Sequence, residues 1–311
     1  MHMTENMEVM MSKTAFIFPG QGSQYVGMGK DFYDTYSEAK EVFALAGEAS
    51  GLDMEKLCFE ENEDINITEY TQIAMLADEV AILKVLEAKG IKADITAGLS
   101  LGEYGALAAA DVMDLKDLFH IIRKRGIFMQ EAYPVGGAMT AVLGLDSEKI
   151  NEICAATEGI VTVANYNCPG QIVITGEEKA VAAAAEALTA AGAKRCVPLK
   201  VSGPFHSELL KGAGEKLGEE LKDIVLRDPS IPYICTVNAT DVNDKAPIKE
   251  LLQNQVSNSV CWQQTIEKMI ADGVDTFIEI GPGKTLSGFM RKINKDVKCI
   301  NIDKVEDLEK L

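Results

Sequence analysis

The stretch that most constrains this chain is residues 95–110, where a short apolar run ends at Gly98 and a helical run of small residues follows Ser100. Between them lies Gly-Leu-Ser-Leu-Gly, the Gly-x-Ser-x-Gly pattern of a nucleophile elbow. In an elbow, a serine occupies a strained strand-to-helix turn, with its hydroxyl exposed and the next backbone N–H available to an oxyanion. Glycines flank the serine because side chains there would collide where strand and helix cross. The pattern predicts that Ser100 is a nucleophile.

The same residues also have a simpler interpretation. Ser100 and Glu103 form Ser-x-x-Glu, a capping box that starts a helix and has no chemical role. A capping box requires neither Gly98 nor Gly102, nor the small side chains that follow, whereas an elbow requires both features. The pattern therefore favours the elbow, and the rest of the chain has to decide between the two.

Composition and charge exclude several classes of protein. At 311 residues, with 47% apolar and 25% charged residues, the chain has the composition of a globular protein with a substantial core. No apolar run approaches the ~18 residues that a membrane-spanning helix needs. The 48 acidic residues against 30 Lys and Arg give a formal charge of −18, which repels nucleic acid. We expect neither a membrane nor a nucleic-acid partner.

The cysteines indicate a reducing compartment. Seven are scattered along the chain without a Cys-x-x-Cys pair, so neither a metal site nor a disulfide framework is predicted. We therefore expect a cytoplasmic protein without a metal. The polar, acidic residues 1–11 are expected to be a disordered leader before the first strand.

Two glycine-rich loops come close to nucleotide-binding motifs and fail to match them. Gly20-x-Gly22 follows a predicted strand, but Tyr25 stands where a dinucleotide motif needs its third glycine. A later Gly-Pro-Gly-Lys-Thr resembles the end of a P-loop, yet Ile278 stands where that loop needs glycine. We predict no cofactor. The first loop can still direct backbone N–H groups toward an anion.

The order of predicted elements indicates an α/β chain with two domains. Between residues 135 and 203 the pattern is β-α-β-β-α-β, which is the ferredoxin-like split unit. Strand and helix patterns alternate through residues 12–134 before it and 204–311 after it. We predict that residues 135–203 form a small domain inserted into the larger one.

The base that would serve Ser100 has to come from three histidines. His2 lies in the leader, and His120 lies on an apolar helix face, where a histidine is more often structural. His206 follows Pro204-Phe205 in a turn whose stiffness can aim an imidazole, although it could also cap the next helix. An α/β-hydrolase has its acid before a histidine near the C-terminus. No histidine follows His206, so the sequence favours a Ser–His dyad without a carboxylate.

Six motifs, in order over residues 12–293, resemble those of the malonyl-CoA:acyl-carrier-protein transacylases of bacterial fatty-acid synthesis. They are FPGQGSQ (18–24), GLSLGEY (98–104), RGIFMQ (125–130), NYNCPGQ (165–171), GPFHS (203–207) and EIGPGK (279–284). The resemblance implies an α/β-hydrolase-like core, residues 12–134 and 204–311, with a ferredoxin-like small domain at 135–203. We expect a monomer whose partners are malonyl-CoA and acyl carrier protein.

The resemblance also implies a role for each matching residue. Ser100 would carry the malonyl group as an ester, with His206 as general base and then general acid. The backbone N–H groups of Gln21 and Leu101 would form the oxyanion hole. Arg125, Asn167 and Phe205 would form the substrate pocket. The side-chain carbonyl of Gln255 would orient His206. Arg125 would hold the malonyl carboxylate, because a guanidinium grips a carboxylate through two hydrogen bonds.

One residue departs from the family pattern. The family usually has histidine before the nucleophile, and this chain has Leu99. That histidine is not the general base in the family's mechanism, so the dyad is expected to remain intact, with one polar group fewer beside Ser100.

Chemistry alone leaves a second function open. A serine thioesterase would use the same nucleophile and base but transfer the acyl group to water. Arg125 and the inserted domain favour transfer to a thiol, because a covered cleft can exclude water while admitting a thin pantetheine arm. A non-catalytic binding module would need the elbow, His206 and Arg125 to coincide by accident.

The net charge raises a further expectation. CoA and carrier protein are both anionic, so a few cations at the cleft mouth should offset the charge of −18. The candidates are Lys194, Arg195, Lys200, Lys284 and Arg291.

Overall fold

Two β-sheets organise the part of the chain described by this computed structural model, residues 12–201 and 203–311. The six-stranded sheet contains β1 (Lys13–Phe18), β2 (Ile95–Gly98), β7 (Tyr233–Cys235), β8 (Thr240–Val242), β9 (Val274–Ile280) and β10 (Lys298–Ile302). The four-stranded sheet contains β3 (Gly137–Leu143), β4 (Val161–Cys168), β5 (Gln171–Glu177) and β6 (Arg195–Pro198). The predicted leader, residues 1–11, lies outside the described residues.

The two sheets differ in direction. The larger has the order β10-β9-β1-β2-β7-β8 and is parallel except for β8, which pairs antiparallel with β7. The smaller has the order β4-β5-β3-β6 and is antiparallel throughout. The structure is therefore a mixed α/β fold with a parallel sheet and a second, antiparallel sheet.

Helices cover both faces of the parallel sheet, as its continuous apolar strands require, whereas α7 and α8 pack on the antiparallel sheet. The helices are α1 (Lys30–Thr35), α2 (Ser37–Ser50), α3 (Met54–Phe59), α4 (Thr68–Ala88), α5 (Gly102–Ala109), α6 (Leu115–Ala132), α7 (Ser147–Ala156), α8 (Glu178–Ala190), α9 (Lys211–Leu221), α10 (Ile248–Gln255), α11 (Trp262–Ala271) and α12 (Thr285–Ile293). None of these helices is long and apolar enough to cross a membrane.

Strand β1 shows how the core is divided. Its side chains alternate between the two faces of the sheet, as the pleat dictates. Phe16 and Phe18 join the hydrophobic cluster of α2, α4 and α6, whereas Ala15 and Ile17 join the cluster of α11 and α12 around the buried Trp262. Helix α4 is buried along most of its length, and its buried residues include polar ones.

Strand β4 of the antiparallel sheet is hydrogen-bonded to the segment before α11. The backbone of Tyr166 donates a hydrogen bond to the carbonyl of Val260, and the backbone of Val260 donates one to Ala164. The Ser259 hydroxyl also donates to the Val163 carbonyl, at 2.5 Å. These bonds fix the end of β4 beside the segment that leads into α11.

Several element boundaries differ from the predictions. The spacing of apolar residues from Phe32 to Ala46 predicts one helix over residues 31–49. In the structure this helix is interrupted at Tyr36, whose extended backbone separates α1 from α2. The Asn-Cys-Pro-Gly run at residues 167–170 predicts the connection between two strands. In the structure β4 continues to Cys168, so Asn167 lies in the strand. The sequence did not indicate α3, β8 or β10, which are short; two of the three residues of β8 are exposed and polar, so they carry no apolar pattern.

Candidate active site

Ser100 lies directly after β2, in the turn that leads into α5. Its backbone φ is 57°, in the left-handed region that non-glycine residues rarely adopt. A Cβ on Gly98 would lie 1.9 Å from the carbonyl carbon of Gly102, and a Cβ on Gly102 would lie 2.3 Å from the carbonyl oxygen of Phe18. Both positions therefore require glycine. The capping-box interpretation is wrong, because α5 has no side-chain cap and Glu103 bonds elsewhere.

The hydroxyl of Ser100 meets the ring of His206. Ser100 Oγ lies 2.7 Å from His206 Nε2. The other ring nitrogen, Nδ1, lies 2.9 Å from the main-chain carbonyl of Gln255 and 3.1 Å from that of Asn258. Because carbonyl oxygens only accept hydrogen bonds, Nδ1 carries the proton and Nε2 is free to accept one from the serine. His206 thus faces Ser100 in the tautomer that a general base needs.

The prediction for Gln255 was wrong in one respect. Its main-chain carbonyl, and not its side-chain carbonyl, contacts the histidine. The side-chain oxygen accepts a hydrogen bond from Arg125 instead, at 2.8 Å. The reason is the end of α10, where main-chain carbonyls lack helical partners and the Gln255 carbonyl is free to accept from His206.

The surroundings of His206 keep its ring neutral. Its burial, together with the positive charge of Arg125, lowers the pKa of His206 to about 4. An imidazole with this pKa is unprotonated near neutral pH and can accept the serine proton. His120, the alternative base, lies on the surface beside Glu220.

Arg125 is buried beside the nucleophile, with 1% of its surface exposed. Its Nη2 lies 3.2 Å from Ser100 Oγ, and its Nη1 donates to the Gln72 side-chain oxygen at 2.7 Å. Within residues 12–201 and 203–311 it forms no ion pair, and its Nε has no hydrogen-bond partner. A buried guanidinium with neutral partners alone is electrostatically suited to an anionic ligand, because an uncompensated buried charge is costly.

Two helices have to approach closely to bring Arg125 to this position. A Cβ on Gly126 would lie 2.9 Å from the Cα of Glu69, so the glycine lets α6 pack tightly against the start of α4. That contact places Gln72 of α4 within hydrogen-bonding distance of Arg125.

A cavity joins these side chains. Its lining includes seven of the eight predicted site residues, namely Gln21, Ser100, Leu101, Arg125, Asn167, Phe205 and His206. The backbone N–H groups of Gln21 and Leu101 donate no hydrogen bond to another described residue. Among residues 12–201 and 203–311, no cluster of His, Cys, Asp and Glu side chains could hold a metal ion.

The comparisons with known proteins agree with this geometry. The acyl transferase domain family matches residues 15–305. The malonyl CoA-acyl carrier protein transacylase of Bacillus subtilis is 47% identical over 304 residues, which cover 96% of both chains. The chain belongs to the malonyl CoA-acyl carrier protein transacylases. The predicted resemblance is therefore confirmed.

Solved structures of the same family superpose closely. The transacylase from Clostridium perfringens has a TM-score of 0.93 and 47% identity, with 96% of each chain covered. A malonyl-transacylase in complex with its type II PKS acyl-carrier protein has a TM-score of 0.93 and 40% identity, covering 96% of this chain and 98% of that one.

Leu99, the departure from the usual family motif, faces the cavity and forms no hydrogen bond with the side chains of the dyad. Its side chain lines the cavity, and its Cδ2 would lie 2.6 Å from a Cβ on Gly20, in the loop that contains Gln21. The side chains of Ser100 and His206 form their hydrogen bonds with each other, with Arg125 and with the main-chain carbonyls of Gln255 and Asn258. The Ser–His pair of this family member is therefore complete with leucine at position 99.

Three polar residues at the site were not identified from the sequence. Gln72 and Asn165 line the cavity, and Glu103 bonds to the Gln255 side chain behind it. Gln72 lies within the apolar pattern of α4, and a buried amide in an apolar stretch is a signal that could have singled it out.

The predicted surface cations are exposed and form two groups. Lys284 and Arg291 line a groove between α12 and β10, which also contains Lys295 and Lys298. Lys194, Arg195 and Lys200 lie in or beside β6.

Proposed function

We propose that this chain transfers malonyl groups from CoA to the phosphopantetheine thiol of acyl carrier protein, for fatty-acid synthesis, by a ping-pong reaction through an ester on Ser100. The observation that carries the proposal is the buried Arg125 guanidinium, which lies 3.2 Å from the serine hydroxyl and pairs with no described carboxylate. An acyl group that ends in a carboxylate would satisfy it.

In the first half-reaction, His206 Nε2 takes the proton of Ser100 Oγ as that oxygen attacks the thioester carbonyl of malonyl-CoA. The oxyanion that forms would accept hydrogen bonds from the N–H groups of Gln21 and Leu101. Collapse of this intermediate breaks the C–S bond. The CoA thiol leaves with the proton held by His206, and malonyl remains on the serine as an ester.

In the second half-reaction, the phosphopantetheine thiol of the carrier enters the vacated position. His206 takes its proton, and the sulfur attacks the ester carbonyl over the same oxyanion hole. The proton then returns to Ser100 as the C–O bond breaks, which regenerates the enzyme. One histidine thus acts as base and as acid in both halves.

Arg125 gives the reaction its preference for malonyl over acetyl. Two charge-assisted hydrogen bonds hold the malonyl carboxylate, whereas an acetyl group would leave the guanidinium unpaired in a closed site. Asn167 and Phe205 are proposed to shape the same pocket around the acyl group, and both are buried at its wall.

The exposed cations would attract the anionic carrier protein and CoA. Lys284 and Arg291 belong to α12, which also contributes Thr285 and Phe289 to the catalytic cavity. A carrier attracted to this groove would therefore stand within about one helix diameter of the pocket, roughly 10 Å, and its phosphopantetheine arm would reach inward. Lys194, Arg195 and Lys200 on the inserted unit are proposed to contribute to the same attraction.

The finer architecture follows the same proposal. Residues 12–134 and 204–311 would form the α/β-hydrolase-like core, and residues 135–203 the ferredoxin-like domain inserted into it. The strand order β4-β5-β3-β6 supports this division, because in a β-α-β-β-α-β chain it places the first and third strands centrally. The cytoplasm is the proposed location, supported by seven free thiols.

Intact mass after brief exposure to malonyl-CoA tests the mechanism. We expect a malonyl-sized adduct on the native chain and none on Ser100→Ala, because the ester forms on that oxygen. Labelling of both proteins would show that another residue is the nucleophile. Steady release of CoA without any carrier would support the thioesterase alternative over transfer.

A further inference from the structure

A buried glutamate is connected to Arg125 through the side-chain amide of Gln255. Glu103 Oε2 accepts hydrogen bonds from Gln255 Nε2 at 2.8 Å and from Thr236 Oγ1 at 2.9 Å. The other end of the amide, Gln255 Oε1, accepts from Arg125 Nη2 at 2.8 Å. Glu103, Gln255 and Arg125 are all buried, so no bulk water competes for these bonds.

The orientation of this amide depends on its neighbours. An amide can turn over and exchange its oxygen and nitrogen, and the hydrogen-bonding partners decide which end points where. Gln255 Nε2 lies between two acceptors, the Ser100 carbonyl at 2.9 Å and Glu103 Oε2. With its nitrogen held there, the amide presents oxygen to Arg125. A reversed amide would direct its N–H groups at the guanidinium, and donor would face donor.

Glu103 does not bind the Arg125 guanidinium directly. No ion pair between Glu103 and Arg125 occurs among the described residues; the neutral amide lies between them. A direct ion pair would occupy the N–H groups that a substrate carboxylate needs. The amide between the two charges leaves Arg125 oriented and still available.

We propose that Glu103 is a positioning residue for carboxylate recognition: it fixes the Gln255 amide, and the amide in turn fixes the plane of the Arg125 guanidinium. This rests on the proposed transfer of malonyl groups. Burial raises the pKa of the Glu103 carboxyl, and the hydrogen bonds from Gln255 and Thr236 act against that shift. The positioning requires an acceptor oxygen at this place, which either protonation state supplies.

Two acyl donors separate this role from a structural one. Malonyl-CoA needs the dyad, the oxyanion hole and Arg125, whereas p-nitrophenyl acetate has no carboxylate on its acyl group and reports on the dyad and the oxyanion hole without the carboxylate contact. Glu103→Met removes the acceptor oxygen at similar size, and Glu103→Gln keeps an oxygen there. Glu79→Met is the matched control, because Glu79 is an equally buried glutamate with no hydrogen bond to the site.

We expect Glu103→Met to lower kcat/KM for malonyl-CoA about tenfold, the effect of one charge-assisted hydrogen bond, and to change acylation by p-nitrophenyl acetate less than about twofold. Glu103→Gln should remain within about threefold of the native enzyme for both donors. Glu79→Met should leave the ratio of the two rates unchanged. An equal loss with both donors, or equal behaviour of the Met and Gln variants, would overturn the proposal.

A second variant covers the case in which Glu103→Met does not fold. Thr236→Val removes a hydroxyl that donates to Glu103 Oε2 at nearly unchanged size and leaves every residue of the cavity in place, so a smaller but equally selective loss with malonyl-CoA is expected. A loss with both donors would count against the positioning role. If malonyl transfer itself were wrong, the native enzyme would give no malonyl adduct while p-nitrophenyl acetate still acylated Ser100, and this outcome is distinct from those above.

Discussion

Arg125 and the groove between α12 and β10 are two cationic regions that differ in their access to water. Arg125 is 1% exposed, and its guanidinium touches neutral side chains. The groove between α12 and β10 contains Lys310, which pairs with Asp307, and four further cations that are exposed and form no ion pair with a described residue: Lys284, Arg291, Lys295 and Lys298. The first region holds one charge in a place from which water is excluded, and the second holds four unpaired charges in solvent.

The difference explains how one protein can both attract and select anions. At a separation of 4 Å, two unit charges interact by about 1 kcal/mol in water and about 4 kcal/mol at a dielectric constant near 20. A carboxylate beside Arg125 therefore gains much more than a phosphate beside an exposed lysine. The surface cations are expected to change encounter rates in a salt-dependent way, and the buried one to decide which acyl group reacts.

Removing the buried charge is the strongest way to break this comparison. We expect Arg125→Ala to lower kcat/KM for malonyl-CoA by about 10²–10³-fold, because two hydrogen bonds to a charged group are lost. The loss should be nearly independent of salt. Steady-state rates with malonyl-CoA and acetyl-CoA check it, with Lys124→Ala, which removes a surface charge paired with Glu220, as control. A loss that disappears in high salt would show that Arg125 acts by screened, long-range attraction, as the surface cations do, and not by direct contact with the carboxylate.

The pH dependence of acylation tests whether the buried charge of Arg125 acts on the base, His206. Neutral His206 is the active form, and its pKa of about 4 predicts an acid limb near pH 4 for p-nitrophenyl acetate. Arg125 disfavours a second positive charge, so Arg125→Ala should raise the pKa of His206 and move the limb to higher pH. Burial remains in this variant, so the limb should stay below the ordinary value of about 6.5.

The acid limb of the rate profile is measured by a rapid pH jump from a neutral stock, which keeps the exposure of the protein to acid short. Reversing an exposed charge by Lys284→Glu should leave the limb where it is in the native enzyme. A limb that stays in place or moves to lower pH in Arg125→Ala would contradict the electrostatic coupling between the two buried groups.

Reversing the groove charges should have the smallest effect. The double variant Lys284→Glu, Arg291→Glu should raise KM for the carrier protein about tenfold at low salt, and the difference should shrink at about 0.5 M salt. Acylation by p-nitrophenyl acetate should not change. Lys40→Glu with Lys56→Glu, an exposed pair on α2 and α3, is the matched control. Equal effects of the two double variants would mean that net charge, and not this groove, attracts the carrier.

Much of the site could be predicted because its elements follow local backbone rules. Gly98 and Gly102 are required by contacts within five residues and with one neighbouring strand, so their spacing predicts the turn before any fold is known. The partners of Arg125 could not be predicted in this way. Gln72 and Gln255 lie 53 and 130 residues from it along the chain, and no local pattern connects such positions.

The sequence by itself determined the elbow, the histidine available to it and the family, because glycine spacing and the order of six motifs are properties of the chain. The tertiary structure decided which atoms meet. It brought the main-chain carbonyl of Gln255 to His206, turned the side chain of the same residue toward Arg125, and buried Glu103 behind both. The physical reason is that burial and hydrogen-bond partners depend on how α4, α6 and α10 meet at the turn between β2 and α5. That packing sums contacts between residues far apart in the chain.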